Sequence, residues 1–95
     1  MTIYIAGKMN GLPNKGRDAF WEAQITLEEQ GHIVLNPAVL PDGLRPEQYL
    51  PICLAMLEQA DAIYMLRNFE NSPGALIEWR YAKYQGKQVI LEGLQ

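Results

Sequence analysis

The run DAIYMLRNFENSPGALIEWRYAKYQGKQVI, from Asp61 to Ile90, constrains the fold of this chain more than any other stretch. It opens on five apolar residues in a row, Ala62, Ile63, Tyr64, Met65 and Leu66. An unbroken apolar run of strand length needs both of its faces covered. Arg67 to Pro73 is turn chemistry, with Asn68, Asn71, Ser72 and Pro73 crowded together. Ser72-Pro73-Gly74 then opens a helix: Ser72 suits the N-cap, and Pro73 the first helical position, where a missing N–H costs nothing. Gly86 closes that helix, and Val89-Ile90-Leu91 follows as a second buried strand. The stretch is a βαβ unit whose loop leaves the carboxyl end of a strand, where open α/β sheets bind ligands.

Glu78 stands apart within that helix. It shares a face with Ala75 and Ala82. Small residues suit close approach to a sheet, so the carboxylate is expected to point inward. It lies a turn inside the helix start, where the positive end of the helix dipole is expected to favour its ionised form. An ionised carboxylate aimed at a strand-end crevice is suited to nucleophilic attack. A solvated surface glutamate is the alternative that the pattern leaves open.

The other elements follow from patterning. Thr2 to Ala6 is β-branched and aromatic and reads as the first strand. The loop Gly7 to Gly16 holds three glycines, which let backbone approach a ligand closely. Lys8 and Lys15 in that loop could meet an anion, although the loop matches neither a P-loop nor GxGxxG. Arg17 to Gln30 is the first helix, with Phe20, Ala23 and Leu27 as its apolar stripe and Trp21 and Ile25 broadening it. Ile33-Val34-Leu35 is a short buried strand, and His32 a residue at its start. Asn36 to Arg45 is a loop in which Pro37, Pro41, Asp42 and Gly43 are expected to forbid regular structure. Pro46 begins the second helix. Its buried stripe takes in Tyr49, Cys53, Met56, Leu57 and Ala60, and Cys53 reads there as a small apolar residue.

Strand and helix alternate throughout, which gives an α/β three-layer sandwich with a parallel sheet of four to five strands, Rossmann- or flavodoxin-like. Right-handed crossovers set the strand order 2-1-3-4. The switch point then lies between the first and third strands, flanked by the loops after them and by Glu78. At 95 residues the expectation is one domain, residues 1–95. A net charge of −3 argues against a partner that is a nucleic acid polymer, which asks for a basic face. One cysteine allows no intrachain disulfide, and one cysteine with one histidine gives no basis for a structural zinc site. No metal and no cofactor is expected. No apolar run has membrane-spanning length, and the first residues lack the pattern of a signal peptide, so a cytoplasmic protein is expected.

Taken together, Ile3-Tyr4-Ile5-Ala6-Gly7, Ala60-Asp61-Ala62, and Ser72-Pro73-Gly74-Ala75-Leu76-Ile77-Glu78 with Ala82, Gly86 and Lys87 resemble the nucleoside 2-deoxyribosyltransferase superfamily. The resemblance covers nearly the whole chain and points to the small phage- and prophage-borne branch. It implies catalysis by Glu78 as a nucleophile on the anomeric carbon of a sugar, with Tyr4 positioning it and Asp61 as a further recurrent acid. It implies that Gly7, Lys8, Met9 and Asn10 shape the sugar and phosphate pocket together with Ser72 and Gly74. Serine at position 72 matches the 2′-deoxynucleoside 5′-monophosphate N-glycosidases, whereas transferases of free nucleosides carry Asp there. A carboxylate would repel a phosphate that a hydroxyl at a helix N-terminus can donate to. The implied partner is a small-molecule nucleoside or nucleotide, and the implied assembly a homodimer or larger homo-oligomer. Cys53 departs from the pattern, since relatives carry an acid near it. A module that binds a nucleotide or a ribose-derived signal without turnover is the alternative.

Overall fold

The computed structural model describes residues 1–93. Four strands alternate with three α-helices: β1 (Thr2–Ala6), α1 (Arg17–Glu29), β2 (Ile33–Leu35), α2 (Pro46–Glu58), β3 (Ala62–Met65), α3 (Pro73–Tyr84) and β4 (Gln88–Leu91). The strands form one parallel sheet in the order β2-β1-β3-β4, as the crossover rule requires.

Side-chain alternation splits the core into two layers. Ile3 and Ile5 of β1, with Ala62 and Tyr64 of β3, pack toward Phe20, Ala23 and Leu27 of α1. Tyr4 and Ala6, with Ile63 and Met65, pack toward Cys53 and Leu57 of α2 and Ala75 and Ala82 of α3. β1 and β3 are therefore covered on both faces, which is why their sequences are continuously apolar. β2 and β4 are sheet edges and are only partly covered: Ile33 is exposed, and Val89, Ile90 and Leu91 are half-buried. They are not the buried strands that their composition suggests.

The first helix differs from expectation in the same way. Trp21 and Ile25 are exposed, and only Phe20, Ala23 and Leu27 are buried. Among the described residues α1 is the single α-helix on its side of the sheet. With no neighbouring helix, only the stripe facing the strands is covered. The loop after β2 is also more regular than its prolines suggest, since Pro37–Val39 makes a 3-10 turn. Asn36 anchors that turn: its Oδ1 accepts from Ala38 N at 2.8 Å while its Nδ2 donates to Gln24 Oε1 at 2.9 Å.

Gly7, at the end of β1, has a packing role. A Cβ there would lie 2.6 Å from Leu66 Cδ1 and 2.8 Å from Leu66 Cβ. Leu66 is buried and continues the β3 ladder through Leu66 N to Ala6 O, so it cannot move aside. Gly7→Ala is expected to overpack this junction and to lower the unfolding free energy by about 1–3 kcal/mol. The midpoint of a urea denaturation curve measures it.

Candidate functional site

The site grows from the start of α3. Ser72 caps the helix, its Oγ accepting from Ala75 N at 3.2 Å. Pro73 takes the first helical position. From that start the helical period carries Ala75, Glu78 and Ala82 onto one buried face. The two alanines let the helix lie close to β1 and β3, and Glu78 is brought beneath the crevice with only 6% of its surface exposed. There Tyr4 Oη donates to Glu78 Oε2 at 2.6 Å. Tyr4 projects from mid-β1 into the layer beneath α2 and α3, fully buried.

Burial dominates the electrostatics. Loss of solvation lifts the Glu78 carboxyl from 4.5 to about 7, and hydrogen bonds from Tyr4 and Cys53 only partly oppose it. The expectation of a carboxylate held ionised by the helix dipole is thus corrected. The dipole acts within the first turn, and Glu78 lies beyond it, where desolvation is larger. Tyr4 is pushed well above the usual phenol range, by burial first and then by the charge of Glu78. It stays neutral and keeps its proton for the carboxylate. Cys53 is pushed up to about 12 by burial and by Glu78, so its thiol is neutral.

Loops on the carboxyl rim of the sheet surround this pair and enclose a cavity of about 370 Å³. The loop after β1 contributes Gly7, Lys8, Met9 and Asn10, and the start of α3 contributes Ser72 and Gly74. Tyr4 and Glu78 reach the cavity as well. Lys8 N donates to Asn68 Oδ1 at 2.9 Å and so ties the loop after β1 to the loop after β3. The Tyr49 hydroxyl lies 3.1 Å from Pro37 O and 2.8 Å from Met9 Sδ, joining α2 to the loops after β2 and β1. Among the described residues no group of three or more His, Cys, Asp or Glu side chains could hold a metal. Nor is any helix among them long and apolar enough to cross a membrane.

Residues 1–91 match the family described as "Domain of unknown function (DUF4406)". The chain belongs to the DUF4406 family. No curated protein matches it. Among solved structures it is similar to the CMP N-glycosidase BcmB of Clostridium botulinum, with a TM-score of 0.70 and 23% sequence identity. The superposition covers 96% of this chain and 70% of that one. At that identity the likeness shows a shared fold.

In this DUF4406 chain, Glu78, Tyr4, Gly7, Lys8, Met9, Asn10, Ser72 and Gly74 come together around one cavity. Asp61 does not join them. It stands at the amino end of β3, the opposite end of the sheet from the cavity, where its carboxylate accepts from Thr2 N at 2.8 Å. Its place there is to bind backbone at the start of two adjacent strands. Sequence reasoning missed Arg17, Tyr49 and Leu50, which also line the cavity. By its spacing Tyr49 is a core position, and Arg17 no more than a helix start. The signal available for both was their nearness to rim loops.

The raised carboxyl makes stability depend on pH. A group whose folded pKa lies above its unfolded value favours folding when protonated. The contribution of Glu78 is therefore full below about 4.5 and is lost as the pH rises through about 7. Glu78→Gln carries no charge and keeps an acceptor for Tyr4. It is expected to change stability little near pH 5 and to raise it by about 3 kcal/mol near pH 9. Urea midpoints of both proteins at the two pH values check this, and parallel pH profiles would contradict it.

Proposed function

We propose that this chain cleaves, or transfers at, the N-glycosidic bond of a nucleotide, a nucleoside 5′-monophosphate, with Glu78 as the nucleophile. The observation that carries the reading is the buried Glu78 carboxyl, held 2.6 Å from Tyr4 Oη in a cavity beneath the N-terminus of α3. The fold shared with a CMP N-glycosidase supports it. So does the resemblance of the Tyr4, Ser72 and Glu78 motifs to the nucleoside 2-deoxyribosyltransferase superfamily and its phage- and prophage-borne branch. The cavity has the size of a small-molecule site.

In the first step a Glu78 carboxylate oxygen attacks the anomeric carbon. The carbon–nitrogen bond to the base breaks, and the base leaves with the bonding pair and takes a proton from solvent. An ester between Glu78 and the sugar remains. Water or a second base then attacks the same carbon, the ester opens, and the carboxylate is restored as the attacking group gives its proton to solvent. Tyr4, neutral and donating, fixes the orientation of the carboxyl. Ser72 Oγ accepts from Ala75 N, so its own hydrogen is free for a phosphate oxygen at the helix N-terminus. Gly74 and the Gly7–Asn10 loop complete the hold on sugar and phosphate. A homodimer in which a second copy closes the pocket belongs to the same proposal.

One observation favours a second reading. Among the described residues Glu78 is the single carboxylate lining the cavity. Retaining cleavage ordinarily uses two. Cys53, where relatives carry an acid, is a neutral thiol. The same pocket would then bind a nucleotide or a ribose-derived signal without turnover.

Incubation with a panel of nucleosides and nucleotides, followed by chromatography for free base, separates the readings. Base release from monophosphates is expected, with kcat/KM rising as the pH passes about 7, because only the ionised carboxyl attacks. Glu78→Ala is expected to lower the rate by about 10³-fold or more. Equal release from both proteins would overturn the nucleophile assignment. A nucleotide that raises Tm without losing its base would select the second reading.

Position 72 has its own test. Asp is as good an N-cap as Ser, so Ser72→Asp is expected to keep α3 intact while repelling a phosphate. Preference should shift by about 10-fold or more from monophosphates toward free nucleosides. An unchanged ratio of the two rates would remove the phosphate assignment.

A further inference from the structure

The proposed chemistry makes no use of a charge cluster formed by Lys15 and Arg17, around the start of α1, with Asp42 of the loop after β2. Lys15 and Arg17 line the cavity. Arg17 is largely covered, with 17% of its side chain exposed, and its guanidinium is already oriented by the loop after β2. Its Nε donates to Ala38 O at 3.2 Å, and one terminal nitrogen lies 3.4 Å from Leu40 O. That same nitrogen lies 2.7 Å from Asp42 Oδ1, and Lys15 Nζ lies 3.3 Å from the same oxygen. Two cations from the loop and helix after β1 thus converge on one carboxylate oxygen of the loop after β2. Asp42 itself is well exposed, at 68%.

The backbone beneath Lys15 is unusual. Asn14 and Lys15 have positive φ, 51° and 54°, and Gly16 follows at 69°. A left-handed turn of non-glycine residues is strained, and such strain collects at ligand clamps and switch segments. Here the turn delivers a lysine to the cavity wall beside an arginine that backbone carbonyls hold ready.

We propose that Lys15 and Arg17 form a subsite for a phosphate-class oxyanion, and that Asp42 occupies it as a displaceable latch that draws the loop after β2 against the cavity. An exposed ion pair is a weak bond that water and salt loosen readily. A phosphate brings more charge and three acceptor oxygens, and a guanidinium can meet two of them at once. An entering phosphate takes the two cations, and Asp42 returns to water with its loop. The lowered carboxyl pKa of Asp42, set first by its hydrogen bond to Arg17, is consistent with an anion already held there. This subsite lies beyond the base-release reading and requires nothing of Glu78.

Inorganic phosphate is the probe, added to the full chain at constant ionic strength, with Tm as the readout. Phosphate is expected to raise the Tm of the wild type. Asp42→Asn removes the latch, and half of the maximal rise should then come at a phosphate concentration about two- to five-fold lower. Lys15→Gly removes one cation and suits the positive φ at that position, so the ligand-free chain should melt no lower than the wild type. It should nevertheless need several-fold more phosphate. Glu78→Gln takes a negative charge out of the same cavity and should respond to phosphate no more weakly than the wild type while releasing no base, so failure of base release and failure of this subsite are read separately. No response from the wild type, equal midpoints in all the proteins, or a weaker response from Asp42→Asn would each overturn the proposal.

Discussion

A carboxyl group kept out of water by its fold, and met there by one phenolic hydrogen at 2.6 Å, is the interaction on which the site depends. Placing an ionisable group in so dry a position costs free energy unless the group becomes neutral or finds partners. Both responses are visible in Glu78. Its pKa moves to about 7, and Tyr4 supplies a donor that burial keeps protonated. The result is a group near the midpoint of its titration at neutral pH, tolerated when neutral and, under the proposed chemistry, nucleophilic when ionised. Stability and the proposed reactivity therefore pull in opposite directions as the pH rises.

That arrangement rests on the packing around it. The central strands are covered on both faces, and α3 lies against them through Ala75 and Ala82. A larger residue at either alanine would hold the helix off the sheet and lift Glu78 toward solvent. Parallel connectivity puts the loops after β1, β2 and β3 on one rim, and those loops are tied chiefly to one another. Lys8 bonds Asn68, Arg17 bonds Ala38, and Tyr49 spans Pro37 and Met9. The cavity is therefore a property of three crossovers meeting, rather than of any one loop.

Much of the fold was legible because period and punctuation agreed along the chain. The apolar run at residues 62–66 could only be a central strand, and Ser72-Pro73-Gly74 could hardly be anything but a helix start. The small–acid–small spacing of Ala75, Glu78 and Ala82 pointed the carboxyl inward. Other residues misled for physical reasons. Trp21 and Ile25 carry the apolar signal of a core stripe, yet α1 has no helical neighbour to cover them. Asp61 looked like a site acid because the motif around it resembles a catalytic family, but strand direction places it at the far end of the sheet. Gly7 lines the cavity, and its missing side chain serves packing as well, because a Cβ there would meet Leu66.

Local sequence thus determined which segments become strands and helices, their order in the sheet, and the face on which Glu78 stands. The elements and the face of Glu78 follow from side-chain periodicity and capping, which act over a few residues, and the strand order from the right-handedness of the crossovers. Tertiary structure alone decided how closely Glu78 and Tyr4 approach, that the carboxyl proton is held to about pH 7, and that Arg17 joins the cavity. Each of these depends on segments distant in the chain approaching closely enough to exclude water. Desolvation and charge pairing take their magnitude from that enclosure, and no local pattern of residues encodes it.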